Sequence, residues 1–137
     1  MEQAEIEKLI PHRPPFLWID GVEELEAGER CVALLHVDAR NPIFAGHFPG
    51  RPVLPGVLMI EAVAQTAAVM LGAAGPAERA LLASVNRFKF LRPVVPGECL
   101  RIETRKLTQL AALAIIEGTI SVNGETVAGG ELTVAWN

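Results

Sequence analysis

The stretch Pro55-Gly56-Val57-Leu58-Met59-Ile60-Glu61-Ala62-Val63-Ala64-Gln65 opens a segment that stays apolar to Leu71. Pro55-Gly56 supplies a helix start, and Gly72 lies just past the last periodic residue, where glycine commonly ends a helix. The spacing therefore predicts a helix over 56–71, about 24 Å long at ~1.5 Å per residue. Its surface is apolar nearly all round, so other elements must cover it on most sides. Glu61 interrupts that surface, and Gln65 follows four residues later on the same helical face. A carboxyl in apolar surroundings is costly unless it is paired or protonated.

The cover comes from both sides in sequence. Upstream, a short amphipathic helix over 2–10 places Ile6, Leu9 and Ile10 together, and Pro11-His12-Arg13-Pro14-Pro15 is a stiff connector. Strands are predicted over 16–25 and 30–37, joined by a turn at 26–29. Downstream, strands are predicted over 81–91, 98–108, 111–122 and 126–136. Asn123-Gly124 marks a tight hairpin, because both residues tolerate positive φ. The sum is an α+β fold, one long helix enclosed by an antiparallel sheet of five to seven strands, with residues 1–137 forming one domain.

Composition narrows the function. Half of the 137 residues are hydrophobic, which points to an oligomer that buries further surface. The net charge of −4 argues against nucleic-acid binding. The longest apolar run, 52–74, is broken by Pro55, Glu61, Gln65 and Gly72, so no membrane span is expected. The N-terminus is acidic and lacks the apolar core of a signal peptide. Cys31 and Cys99 are isolated, which reads as two reduced thiols in a cytoplasmic protein.

Between the second strand and the helix runs a proline- and glycine-rich loop, 38–55, that holds Ala45-Gly46-His47-Phe48-Pro49-Gly50. Long ordered loops in compact domains are usually functional. A constrained imidazole close in sequence to a carboxyl on an apolar helix is a proton-transfer pair in prospect. The plainer readings are a loop histidine bonded to backbone and a structural glutamate paired to an arginine. His12 and His36 read as structural, the first in a turn that braces the fold and the second in a strand. No histidine pair has metal-ligand spacing, and there is no glycine-rich nucleotide motif, so neither a metal nor a nucleotide is expected.

Five segments, in order, resemble one family. They are 11–17 (PHRPPFL), 44–50 (FAGHFPG), 52–58 (PVLPGVL), 61–65 (EAVAQ) and 92–97 (RPVVPG). The chain resembles the 3-hydroxyacyl-acyl carrier protein dehydratases of fatty-acid synthesis (FabZ type), which have the hotdog fold. The resemblance implies a dimer formed edge to edge, three such dimers in a hexamer, and an active site in which His47 of one chain faces Glu61 of the other. It implies loss of water from a 3-hydroxyacyl thioester to give a trans-2-enoyl thioester. His47 would be the base for the C2 proton. Glu61 would be the acid toward the C3 hydroxyl, since burial favours a protonated carboxyl. The Gly56 N–H, at the helix N-terminus, would bind the thioester oxygen. No cofactor is expected beyond the phosphopantetheine of acyl carrier protein, which carries the substrate.

Around this centre, Gln65 would orient Glu61, hold a water or bond across the dimer interface. Val57, Leu58, Phe48 and Phe88 would shape an acyl tunnel, or serve as core. Alternation along the third predicted strand, 81–91, puts Arg87 and Lys89 on one face. With Arg92 they would dock the acidic carrier protein. The chain has no tyrosine, and Leu81 stands nearest the family's gating tyrosine. Position 61 is Glu rather than the Asp typical of the isomerising sister group, so dehydration without isomerisation is expected. Two rivals remain: a hotdog thioesterase or CoA-dependent enoyl hydratase, and a catalytically silent acyl-binding protein.

Overall fold

The computed structural model describes residues 1–75 and 80–136. Its elements are α1 (Gln3–Ile6), β1 (Gly21–Glu26), β2 (Arg30–His36), a 3-10 turn (Pro42–Ala45), α2 (Gly56–Gly72), β3 (Leu81–Phe90), β4 (Cys99–Leu110), β5 (Leu113–Val122) and β6 (Glu125–Ala135). All six strands form one antiparallel sheet in the order β1-β2-β4-β5-β6-β3. The sheet curls around α2, so the expected helix-and-sheet architecture is borne out.

The helix sits where its sequence drives it. Met59, Ala62, Val63, Thr66, Ala67 and Met70 recur at three- and four-residue spacing and are buried. They meet the inward residues of the strands, Leu100 and Ile102 on β4 and Ile116 and Ile120 on β5, all fully buried. Each such side chain stabilises the fold by about 1.5–3 kcal/mol relative to exposure. Gly118 makes the closest approach of helix and sheet possible, because a Cβ there would overlap Val63 Cγ1. The opposite stripe of α2, Val57, Glu61, Ala64 and Ala68, is left exposed or half-buried.

Three local expectations are corrected. α1 is shorter than predicted. Glu7 to Leu9 form turns rather than helix, although Ile6 and Ile10 are buried and Leu9 packs beside them as expected. β1 starts at Gly21 rather than at Phe16. The backbone of Phe16 and Trp18 is engaged by the Gln65 side chain, not by a strand ladder. The third correction concerns alternation in β3. An irregularity between Asn86 and Lys89, with Arg87 at φ 52°, shifts the register, so period-two alternation does not relate Arg87 to Lys89. The Asn123-Gly124 turn is as predicted, with both residues at positive φ and Val122 opposite Glu125.

Candidate active site

His47 is fixed by the loop that carries it. Its N–H donates to the Ile43 carbonyl, and the Val53 N–H donates back to the His47 carbonyl, both at 3.0 Å. Imidazole Nδ1 lies 2.7 Å from the Val53 carbonyl oxygen. A carbonyl only accepts, so Nδ1 carries the proton and Nε2 keeps its lone pair. The backbone contact expected of a merely structural histidine is thus present, and it engages Nδ1 only. Phe48 stacks on the ring, with centroids 4.0 Å apart, and is otherwise half exposed.

His47 lines a cavity of about 430 Å³ together with Val53, Leu54, Gly56, Met59, Phe90 and Arg92. Gly56 is the first residue of α2, and among the described residues its N–H and that of Val57 donate to no backbone carbonyl. A Cβ on Gly56 would stand 3.0 Å from the Phe90 ring, so glycine lets the end of β3 close over the helix start. Free N–H groups at a helix N-terminus favour negative charge.

Glu61 lies elsewhere. It lines a second cavity, of about 170 Å³, with His12, Phe16, Ala64, Ala68, Leu81 and Leu82 among its walls. Gln65 is fully buried, and its geometry is closed on three sides. Its Oε1 accepts from Trp18 N–H at 2.9 Å, and its Nε2 donates to the Phe16 carbonyl at 2.8 Å and to Glu61 Oε2 at 2.9 Å. The Trp18 N–H can only donate, which fixes the amide orientation and makes Gln65 the donor toward Glu61. His12 Nε2 stands 3.6 Å from the same Oε2. The turn expected to brace the fold at His12 is present. The bracing is done by Arg13, whose guanidinium holds the carbonyls of Glu7, Ile10 and His12.

The remaining predicted residues divide. Val57 is 71% exposed, while Leu58 and Phe88 are half-buried against the core. Phe88 packs near Phe90, and it is Phe90, not Phe88, that lines the His47 cavity. Arg87 and Lys89 are exposed. Arg92 is bonded to Glu98 and Glu125. Its guanidinium, helped by the Val95 N–H, holds the Glu98 carboxyl below the usual carboxylate range. Burial pushes the Cys31 thiol up to about 12, which removes it as a nucleophile at neutral pH. Among the described residues no three His, Cys, Asp or Glu side chains gather as a metal site, and no helix is long and apolar enough to cross a membrane.

Comparison with known proteins places this geometry in a family. Residues 10–131 match the FabA-like domain. The chain is 44% identical over 132 residues to the 3-hydroxyacyl-acyl-carrier-protein dehydratase FabZ of Enterococcus faecalis, covering 95% of this chain and 94% of that one. It is 41% identical over 135 residues to the FabZ of Geotalea uraniireducens, covering 91% and 93%. Its fold matches the dehydratase heterocomplex ApeI:P from Xenorhabdus doucetiae with a TM-score of 0.82 at 20% identity, covering 96% of this chain and 90% of that one. The matched span contains the His47 loop, α2 and all of the sheet but the last four residues of β6: the chain belongs to the FabA-like family and has its hotdog fold.

Proposed function

We propose that this chain dehydrates 3-hydroxyacyl-acyl carrier protein to trans-2-enoyl-acyl carrier protein, with His47 and Glu61 meeting across a dimer interface. One observation carries the pairing. The His47 cavity borders Phe90 and Leu91 at the end of β3, and the Glu61 cavity borders Leu81 and Leu82 at its start. The two cavities share no lining residue, so neither brings both side chains together within one chain. β3 is also an edge strand whose Leu81, Leu82, Val85 and Phe90 are exposed. An antiparallel, two-fold pairing of two β3 edges sets the end of one against the start of the other. Each His47 then faces the partner subunit's Glu61, and the two half-sites become two whole ones.

In that site His47 Nε2 takes the C2 proton and the electron pair forms the C2–C3 double bond. Glu61 gives its proton to the C3 hydroxyl, which leaves as water. The Gly56 N–H holds the thioester oxygen as charge builds on it. The next turnover needs the proton back on Glu61 and off His47. No cofactor takes part beyond the phosphopantetheine that presents the acyl group. Arg87 and Lys89, exposed on β3, receive the acidic carrier together with Arg92, which also lines the His47 cavity. Phe48, Val57, Leu58 and Phe90 line the acyl path. The reading takes residues 1–137 as one domain working in the cytoplasm on fatty-acid synthesis.

The test runs the reaction backwards. Crotonyl-carrier protein is incubated with wild type and with His47→Ala, and the mass of the acyl carrier is followed. The account predicts a gain of one water with wild type and none with the variant. Release of free carrier thiol without hydration would instead identify a thioesterase.

A further inference from the structure

The His12 imidazole is not used by the mechanism above, yet it stands against the proposed acid. Its Nε2 is 3.6 Å from Glu61 Oε2, and its Nδ1 is buried with no hydrogen-bond partner among the described residues. A buried N–H without a partner is costly, so Nδ1 is the bare nitrogen and Nε2 bears the proton. A doubly protonated ring would strand that Nδ1–H. In the neutral ring the N–H is therefore on Nε2, which faces Glu61.

Glu61 Oε2 already accepts the Gln65 amide at 2.9 Å. A carboxyl oxygen that receives two donors is the carbonyl-like oxygen of the acid, because a proton on it would oppose both. We infer that His12 is a positioning residue: with Gln65 it saturates Glu61 Oε2 and so confines the transferable proton to Oε1. At 3.6 Å the His12 contact is longer than a hydrogen bond, and contacts of this kind in unliganded enzymes commonly tighten when substrate fills the site. His12 and Glu61 are the only titratable side chains lining this cavity among the described residues, so within one chain no other charge competes for the proton. The partner subunit's His47 approaches from across the interface. The turn is held by Arg13, whose guanidinium grips the His12 carbonyl at 2.8 Å, so the donor is placed in advance.

This inference rests on the reading of Glu61 as the acid, and its test separates the two. His12→Gln keeps an N–H donor close to where Nε2 stands. His12→Asn is of similar polarity, but its amide ends near Nδ1. Turnover of 3-hydroxyacyl-carrier protein is measured for both, beside Glu61→Gln, with thermal midpoints and the pH profile of kcat. The expected result is a loss in kcat of about tenfold or more for His12→Asn at unchanged KM, a smaller loss for His12→Gln, and equal thermal midpoints. The alkaline limb of the His12→Asn profile should also move to higher pH, because the lost donor favoured the charged carboxylate. Equal kcat in the two variants, or losses that track the thermal midpoint, would overturn the inference. Wild-type turnover by Glu61→Gln would overturn the reading of Glu61 itself, whatever the His12 variants do.

Discussion

At one edge of the sheet β1 presents Glu23, Glu24 and Glu26; at the other, β3 presents Leu81, Leu82, Val85 and Phe90. The β1 edge is also covered at its start. The Met1 ammonium donates to the Val22 carbonyl, and Val22 N–H donates to the Met1 carbonyl. Behind it, Arg30 bonds Glu24 and Glu103, and Arg101 bonds Glu24. Charge and cover are how proteins keep a free edge from pairing. The β3 edge has neither over most of its length, and Leu81 is 70% exposed. Two edges of one sheet thus differ in kind: charged and covered at β1, apolar and open at β3.

A change of charge at β3 should therefore do what a change of charge at β1 does not. Val85→Asp is expected to yield monomers by light scattering and to abolish turnover, since each site would lose its second half. Glu24→Lys reverses a charge at the other edge and should leave both assembly and turnover near wild type. Monomers that retained full activity would break the comparison.

The carrier-docking proposal sharpens it on the polar part of β3. Reversing Arg87 and Lys89 to Glu should lower kcat/KM on carrier-linked substrate by about tenfold at low salt. The same enzyme should keep its rate on a pantetheine thioester. An unchanged kcat/KM on the carrier would remove these residues from docking.

The smallest effect lies at the β1 end. Hydrogen bonds from Arg30 hold the Glu24 and Glu103 carboxyls below their ordinary value of 4.5. Folded values below the unfolded one mean stability that is complete above that value and lost as pH falls through the folded values. The thermal midpoint should drop as pH falls below 4.5, and Arg30→Gln should flatten that drop. A midpoint independent of pH in that range would show that these exposed pairs contribute nothing.

Much of this was legible in the sequence because it is local. The 3.6-residue spacing from Met59 to Met70, the Asn123-Gly124 turn and the alternation of β4 and β5 are short-range patterns, and the fold followed from them. The family motifs marked His47 and Glu61. What escaped the sequence depends on partners far along the chain. Gln65 takes the backbone of Phe16 and Trp18 out of any strand, across more than forty residues of sequence. The register shift at Arg87 breaks an alternation that the residue types alone cannot reveal. His12 read as structural because its neighbour Arg13 does the bracing, while its own ring reaches Glu61 only once α2 is folded against the connector. That His47 and Glu61 line separate cavities at opposite ends of β3 is likewise invisible without the sheet order.

The central claim is that the catalytic pair is shared between two chains, and complementation tests it directly. His47→Ala and Glu61→Gln, each inactive alone, are coexpressed with different tags, and the mixed species is assayed. A shared site gives each mixed dimer one site with both residues intact. That species should then show about half of wild-type turnover per chain. If His47 and Glu61 worked within one chain, no mixture would contain an intact site, and activity would stay at the level of the separate variants.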